Sequence, residues 1–126
     1  MSNYASLLVI VGGVYNLLFG LFHISFWKLF NWRDELARMS PINRAVIQML
    51  NIAVIVFLLM IAFVSMVYSH ELVTTNLGRT LLLGTSIFWM ARLVGEFTLK
   101  DGTQANPKLV TAFLVGILLY VLPMFN

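Results

Sequence analysis

The chain has 126 residues, 60% of them hydrophobic and only 10% charged, with a formal net charge of +3. Soluble domains are about one quarter charged and less than half apolar, so this composition argues against a soluble globular protein and for one embedded in lipid. The chain has no cysteine, which excludes disulfides, thiolate chemistry and cysteine-ligated metals. The basic residues lie at the edges of apolar segments, where they indicate membrane topology, so we expect no nucleic-acid partner.

Four apolar segments come close to the length of about 20 residues that a helix needs to span a bilayer. With their start and stop signals they predict helices at about 5–29, 41–68, 78–99 and 107–125, and a short interfacial helix at about 31–39. The apolar runs are continuous rather than alternating, which favours helices over strands. We therefore predict an all-α polytopic membrane protein, a single domain of residues 1–126 folded as an antiparallel four-transmembrane-helix bundle.

The first segment carries a line of small and polar residues at helical spacing. These residues follow one another at steps of three and four and so share one helix face: Gly13, Asn16, Gly20, His23 and Trp27. Between helices in lipid, such residues mark the contact face, because apolar side chains are equally stable against lipid. The N-terminus lacks a basic segment and a small-residue cleavage site, so we expect no removable signal peptide.

The distribution of basic residues predicts the orientation in the membrane. Six of them flank the first and third loops: Lys28, Arg33, Arg38, Arg44, Lys100 and Lys108. The second loop offers only Arg79. Because lysine and arginine mark the cytoplasmic side, we expect both termini to lie outside the cytoplasm. Ser40-Pro41 and Asn106-Pro107 predict the starts of the second and fourth helices, and Asp101-Gly102 predicts a break after the third.

The later segments show comparable contact faces. Their small and polar positions are Arg44, Gln48, Asn51, Ala62 and Ser65 in the second segment, Thr85, Trp89, Arg92 and Glu96 in the third, and Ala112, Gly116, Tyr120 and Pro123 in the fourth. At about 1.5 Å of rise per residue from the nearest boundary cation, His23 and Asn51 lie roughly 7–10 Å deep. Arg92 and Glu96 lie roughly 12 and 6 Å deep by the same rise. The four side chains are therefore predicted to form one polar layer in the cytoplasmic leaflet.

The candidate ligand-binding or proton-relay residues are His23, Asn51, Arg92, Glu96, Gln48, Asn16 and Trp27. Two interpretations of them stay open. Arg92 and Glu96 are four residues apart and can pair, so the layer could simply hold helices together. Ionisable groups inside a membrane also mark paths for ligands, protons or ions, and His23 is the side chain most able to exchange a proton near neutral pH.

Metal binding and catalysis find little support in the sequence. His23 and His70 lie toward opposite faces of the membrane, so we predict no metal site and no bis-histidine haem. No motif indicates a catalytic residue, and the interpretation leans against an enzyme.

Two functions of different classes follow. The first is binding or transport of a small polar or anionic solute, or of protons, by the buried layer. The second is a non-catalytic accessory or anchor subunit of a larger membrane complex. Four short helices enclose little volume, so we expect a homo-oligomer or a subunit of such a complex.

Two short stretches, Leu17–His23 (LLFGLFH) and Lys28–Phe30 (KLF), resemble the first-helix pattern of the DoxX-like membrane proteins. These are small bacterial four-helix proteins, some of them associated with membrane oxidoreductases and quinone-linked electron transfer. The residues themselves predict no cofactor. The resemblance implies an inner-membrane location, His23 and Lys28 as functional positions, an oxidoreductase-linked role and a quinone as the one candidate cofactor.

Overall fold

The computed structural model describes residues 2–100 and 104–125, and these residues form helices and no strand. The helices are α1 (Ser2–Ile24), α2 (Phe26–Leu29), α3 (Trp32–Glu35), α4 (Pro41–Val67), α5 (Ser69–Thr74), α6 (Asn76–Thr98) and α7 (Pro107–Val121), with 3-10 turns at Leu36–Arg38 and Leu122–Phe125. The prediction of an all-helical chain is confirmed. The predicted break at Asp101-Gly102 lies outside the described residues.

Three helices within the described residues are long and apolar enough to cross a membrane. They cover Tyr4–Ile24, Pro41–Val67 and Pro107–Phe125, so the prediction of a membrane protein with transmembrane helices is confirmed. The third predicted span coincides with α6, which has 23 residues but is not among these three helices. It contains Arg79, Arg92 and Glu96, and charged side chains reduce the apolar character on which such an assignment depends.

The connections contain more short helices than the sequence predicts. The predicted helix at 5–29 is divided at Ser25, whose hydroxyl donates a hydrogen bond to the Phe22 carbonyl. Such a local bond competes with the helical ladder and favours a break. Asn31 then adopts a left-handed conformation, with φ of 51°, which asparagine tolerates better than most residues. The predicted interfacial helix at 31–39 is therefore realised as α3 followed by a 3-10 turn.

The starts of α4 and α7 follow the predicted capping signals. The Ser40 hydroxyl accepts a hydrogen bond from the Asn43 backbone N–H at 3.3 Å, and Pro41 is the first helical residue. The Asn106 side chain likewise accepts from the Lys108 N–H at 2.9 Å, ahead of Pro107. In both cases proline occupies the first helical position, where a backbone N–H would have no partner within the helix, so its absence costs no hydrogen bond.

Close contact between α1 and α4 depends on two glycines. A Cβ on Gly13 would meet the Met66 side chain and approach the Ala62 carbonyl to 3.0 Å, and one on Gly20 would meet the Leu59 side chain at 2.9 Å. Small residues that let helix backbones approach are typical of helix pairs in lipid. Gly13 and Gly20 of the predicted face thus form its contact with α4.

Among the four long helices of the described residues, each packed pair runs antiparallel. α1 packs against α4 and α7, and α6 packs against α7. At one end of the bundle, Ala5 of α1, Leu82 of α6 and Tyr120 of α7 share a buried cluster. At the other end, the last turns of α1 and α6 lie beside the first turns of α4 and α7. This second end holds the predicted polar residues.

Candidate functional site

A cavity of about 380 Å³ lies between α1, α4, α6 and α7, where α1 ends and α7 begins. Its walls are mainly aromatic and aliphatic: Phe19, Phe22, Phe26, Phe30, Val54, Leu58, Phe88, Trp89, Ala91, Leu109 and Phe113. His23 from α1 and Arg92 from α6 line the same cavity. Two of the predicted site residues, 69 positions apart in the chain, are therefore brought to one cavity.

The His23 ring is held in place by its own helix. Its Nδ1 lies 2.7 Å from the Phe19 carbonyl oxygen, and since a carbonyl can only accept, Nδ1 carries the proton of this hydrogen bond. In the neutral ring the other nitrogen, Nε2, is then an acceptor. Nε2 makes no hydrogen bond with the described residues. Phe26 packs against the ring at 4.4 Å between centroids. The cavity therefore has one positioned acceptor.

Arg92 has both an ionic and an aromatic contact. Its Nη1 lies 3.6 Å from Glu96 Oε1, and its Cζ lies 4.7 Å from the centre of the Phe113 ring. Because a guanidinium has five N–H donors, this single ion pair leaves donors available to the cavity. The side chain is 44% exposed, so a bound molecule can reach it.

Glu96 connects the end of α6 to the start of α7. It is 1% exposed, and its Oε2 accepts hydrogen bonds from Lys100 Nζ at 2.6 Å and from the Asn106 backbone N–H at 2.8 Å. Among the described residues the carboxylate thus has three partners, two of them cations. Glu96 is not among the residues that line the cavity.

Asn51 and Gln48, like Glu96, do not line the cavity with His23 and Arg92. Asn51 is buried, and its amide donates to the backbone carbonyl of His23 at 3.0 Å rather than to the imidazole. Gln48 accepts a hydrogen bond from Trp27 Nε1 at 2.9 Å and donates to the Arg44 carbonyl at 3.2 Å. These contacts join the end of α1 and α2 to α4. Both amides therefore support the cavity from outside it.

Asn16 belongs to a separate polar network in the middle of the bundle. It is fully buried and donates hydrogen bonds to the Tyr120 hydroxyl at 2.6 Å and to the Gly12 carbonyl at 2.9 Å. Its carbonyl oxygen accepts from Trp89 Nε1 at 3.2 Å. Ser65 and Tyr120 complete the network, with 2.8 Å between their hydroxyl oxygens. Asn16 lies two helical turns, about 10 Å, from His23, so the two side chains are at different depths.

Sequence reasoning missed the aromatic walls of the cavity. Phe19, Phe22, Phe26 and Phe30 recur at steps of three and four, a spacing that would place them on one face of a continuous helix. That signal could have indicated a shared aromatic surface next to His23. Lys28, which the DoxX-like resemblance implies as functional, is exposed and does not line the cavity.

No group of three or more His, Asp or Glu side chains within residues 2–100 and 104–125 is placed to hold a metal ion. The polar groups that the cavity offers are one imidazole, as an acceptor, and one guanidinium, as a donor. They are suited to binding oxygen atoms of an organic molecule.

The chain matches no known family, no curated protein and no solved structure. The resemblance to DoxX-like proteins therefore stays a prediction.

Proposed function

We propose that the protein crosses the bilayer four times and binds, in the cavity between its helices, a small amphipathic molecule with an acidic or otherwise oxygen-rich head. The observation that carries this proposal is that His23 and Arg92 both line one cavity with mainly aromatic walls. A cavity of about 380 Å³ falls within the range of ligand pockets, about 300–1,000 Å³.

Support for a fourth crossing comes from α6. This helix is as long as α1, packs along α7, and turns apolar residues such as Ile87 and Met90 outward, at 55% and 50% exposure. Its charged residues Arg92 and Glu96 are paired, which lowers the cost of keeping them in a membrane. Four crossings with the basic loops inside would place both termini outside the cytoplasm.

The lining favours an amphipathic ligand over a hydrated ion. Arg92 offers several N–H donors to a carboxylate, phosphate or carbonyl oxygen, and His23 offers Nε2 as an acceptor for an O–H group. The remaining walls are hydrocarbon and ring faces, which would remove water from an ion without replacing its hydrogen bonds. An acid with an apolar tail satisfies both parts of the cavity.

A quinone is a second candidate, favoured by one observation. The cavity has donors on one helix and an acceptor on another. In the oxidised state a quinone oxygen could accept from Arg92, and in the reduced state a quinol hydroxyl could donate to His23 Nε2. Flat rings would also pack on the aromatic walls. The role of accessory subunit, in contrast, has no specific observation in its favour and stays a prediction.

Binding of a fluorescent fatty acid to the purified protein in detergent tests the proposal. We expect Arg92→Gln to weaken binding about tenfold or more, because it removes a charge-assisted hydrogen bond from an apolar site. Glu96 keeps Lys100 and Asn106 as partners, so this variant should still fold. The matched control is Lys108→Gln, since Lys108 is exposed at the same end of the bundle and does not line the cavity.

The ligand class is decided by two further probes. The methyl ester of the same fatty acid should bind weakly to both the native protein and Arg92→Gln. A short-chain ubiquinone analogue, followed by quenching of tryptophan fluorescence, distinguishes the quinone candidate. Equal affinity of the native protein and Arg92→Gln for every probe, or no binding of any probe to the native protein, would overturn the proposal.

A further inference from the structure

A second cavity, of about 240 Å³, lies beside the N-terminal end of α4, at the edge of the apolar bundle. It is formed by α2, α3, the 3-10 turn that follows, and the first two turns of α4. Trp27 and Trp32 line one part of it and Arg33 and Arg44 another. Leu36, which is only 5% exposed, also lines it. These residues belong to four different elements, so the cavity exists only in the folded chain.

The walls of this second cavity are held in place by hydrogen bonds and ring contacts. Trp27 Nε1 donates to Gln48 Oε1 at 2.9 Å, and Gln48 in turn donates to the Arg44 backbone carbonyl at 3.2 Å. The rings of Trp27 and Trp32 meet edge to face with 5.3 Å between centroids. The site is therefore organised before any ligand arrives, which lowers the entropy that binding must overcome.

The charges that line this cavity are both positive. Neither Arg33 nor Arg44 forms an ion pair within the described part of the chain. The neighbouring Glu35 is engaged with Arg38 at 3.7 Å, and Asp34 accepts a hydrogen bond from the Asn31 side chain. Neither acid lines the cavity. Two guanidinium groups with no lining carboxylate favour an anion, and their planar donor geometry matches phosphate oxygens.

We propose that this cavity binds the phosphate of an anionic phospholipid head group. Tryptophan side chains are typical of the membrane–water interface, where such head groups lie. This site shares no lining residue with the His23–Arg92 cavity and does not depend on the function proposed for it.

Native mass spectrometry of the full chain, released from nanodiscs that contain phosphatidylglycerol and phosphatidylcholine, tests the assignment. We expect the native protein to retain phosphatidylglycerol in preference, and Arg33→Gln and Arg44→Gln each to lower the retained fraction about fivefold, in keeping with the usual effect of one interfacial cation. Arg38→Gln is the matched control, because Arg38 is 76% exposed and lies outside the cavity.

The variants separate loss of the site from loss of the fold. Arg44 joins the Trp27–Gln48 chain through its backbone carbonyl, so Arg44→Gln should leave those hydrogen bonds and the helical circular dichroism unchanged. If a double variant that carries both Arg33→Gln and Arg44→Gln retains phosphatidylglycerol at the native level, the proposal is overturned. Full displacement of the lipid by a few millimolar inorganic phosphate would also overturn it, in favour of a free-phosphate site.

Discussion

The carboxylate of Glu96 accepts a hydrogen bond from the backbone N–H of Asn106 at 2.8 Å and so fastens the last turn of α6 to the residue that caps α7. The same carboxylate also holds Lys100 and Arg92. Glu96 does not line the cavity, whereas Arg92 does. Arg92 and Glu96 were predicted as a pair that either holds helices together or forms part of a site; in the structure the acid serves the α6–α7 connection and the base lines the cavity.

We expect Glu96→Gln to lower the free energy of unfolding by about 3 kcal/mol, because it leaves two cations without their shared, buried partner. Denaturation with sodium dodecyl sulfate in mixed micelles, followed by circular dichroism, measures this change. Glu35→Gln is the control, since the Glu35–Arg38 pair is exposed and such pairs contribute less than about 1 kcal/mol. Equal small effects of the two substitutions would contradict the role assigned to Glu96.

Tyr120→Phe tests the network in the middle of the bundle. The substitution removes the hydroxyl that meets both Asn16 and Ser65, and we expect a loss of about 1–3 kcal/mol because buried polar groups are left with fewer partners. Tyr4→Phe, at a residue 61% exposed, should be neutral. The same denaturation assay compares them. A neutral result for Tyr120→Phe would mean that water or other groups replace the hydroxyl.

Two of the three glycines of α6, Gly78 and Gly84, provide a matched test of helix packing. A Cβ on Gly78 would overlap the backbone of Glu71 and Leu72 in α5, whereas nothing lies within 4 Å of a Cβ on Gly84. We expect Gly78→Ala to destabilise the protein by about 2 kcal/mol or more, because backbone cannot move aside as a side chain can. Gly84→Ala should be neutral or stabilising by up to about 1 kcal/mol, since alanine favours helix. Thermal unfolding in detergent compares the two, and the reverse order would contradict the packing of α5 on α6.

The absence of native cysteine allows a direct test of the four crossings. Single cysteines at Ala37, His70 and Gln104, all exposed connections, would be treated in intact cells with a membrane-impermeant maleimide. We expect only His70→Cys to be labelled, because the distribution of basic residues predicts that the other two loops lie in the cytoplasm. Labelling of Gln104→Cys alongside His70→Cys would mean that α6 does not cross the bilayer.

Much of the fold could be predicted from local sequence. The contact face from Gly13 to Trp27 and the caps at Ser40 and Asn106 follow from residue spacing and backbone hydrogen bonding, which depend on near neighbours only. The break at Ser25 was not predicted, because the apolar run continues through it. Asn51 was predicted to lie level with His23, and its amide meets the backbone of His23 instead of the imidazole, a distinction that predicted depth alone does not contain.

By itself, the sequence determined that the chain is helical and embedded in a membrane, since composition and a continuous apolar pattern are enough to decide how each segment meets lipid or water. Only the tertiary structure decided which polar side chains meet. Asn16 and His23 share one face of α1 but lie about 10 Å apart along the helix axis, so they meet different partners. The packing of the helices leaves Glu96 outside the cavity and brings His23 and Arg92 to it among aromatic rings. Such pairings depend on contacts between distant parts of the chain, where a small rotation exchanges one partner for another.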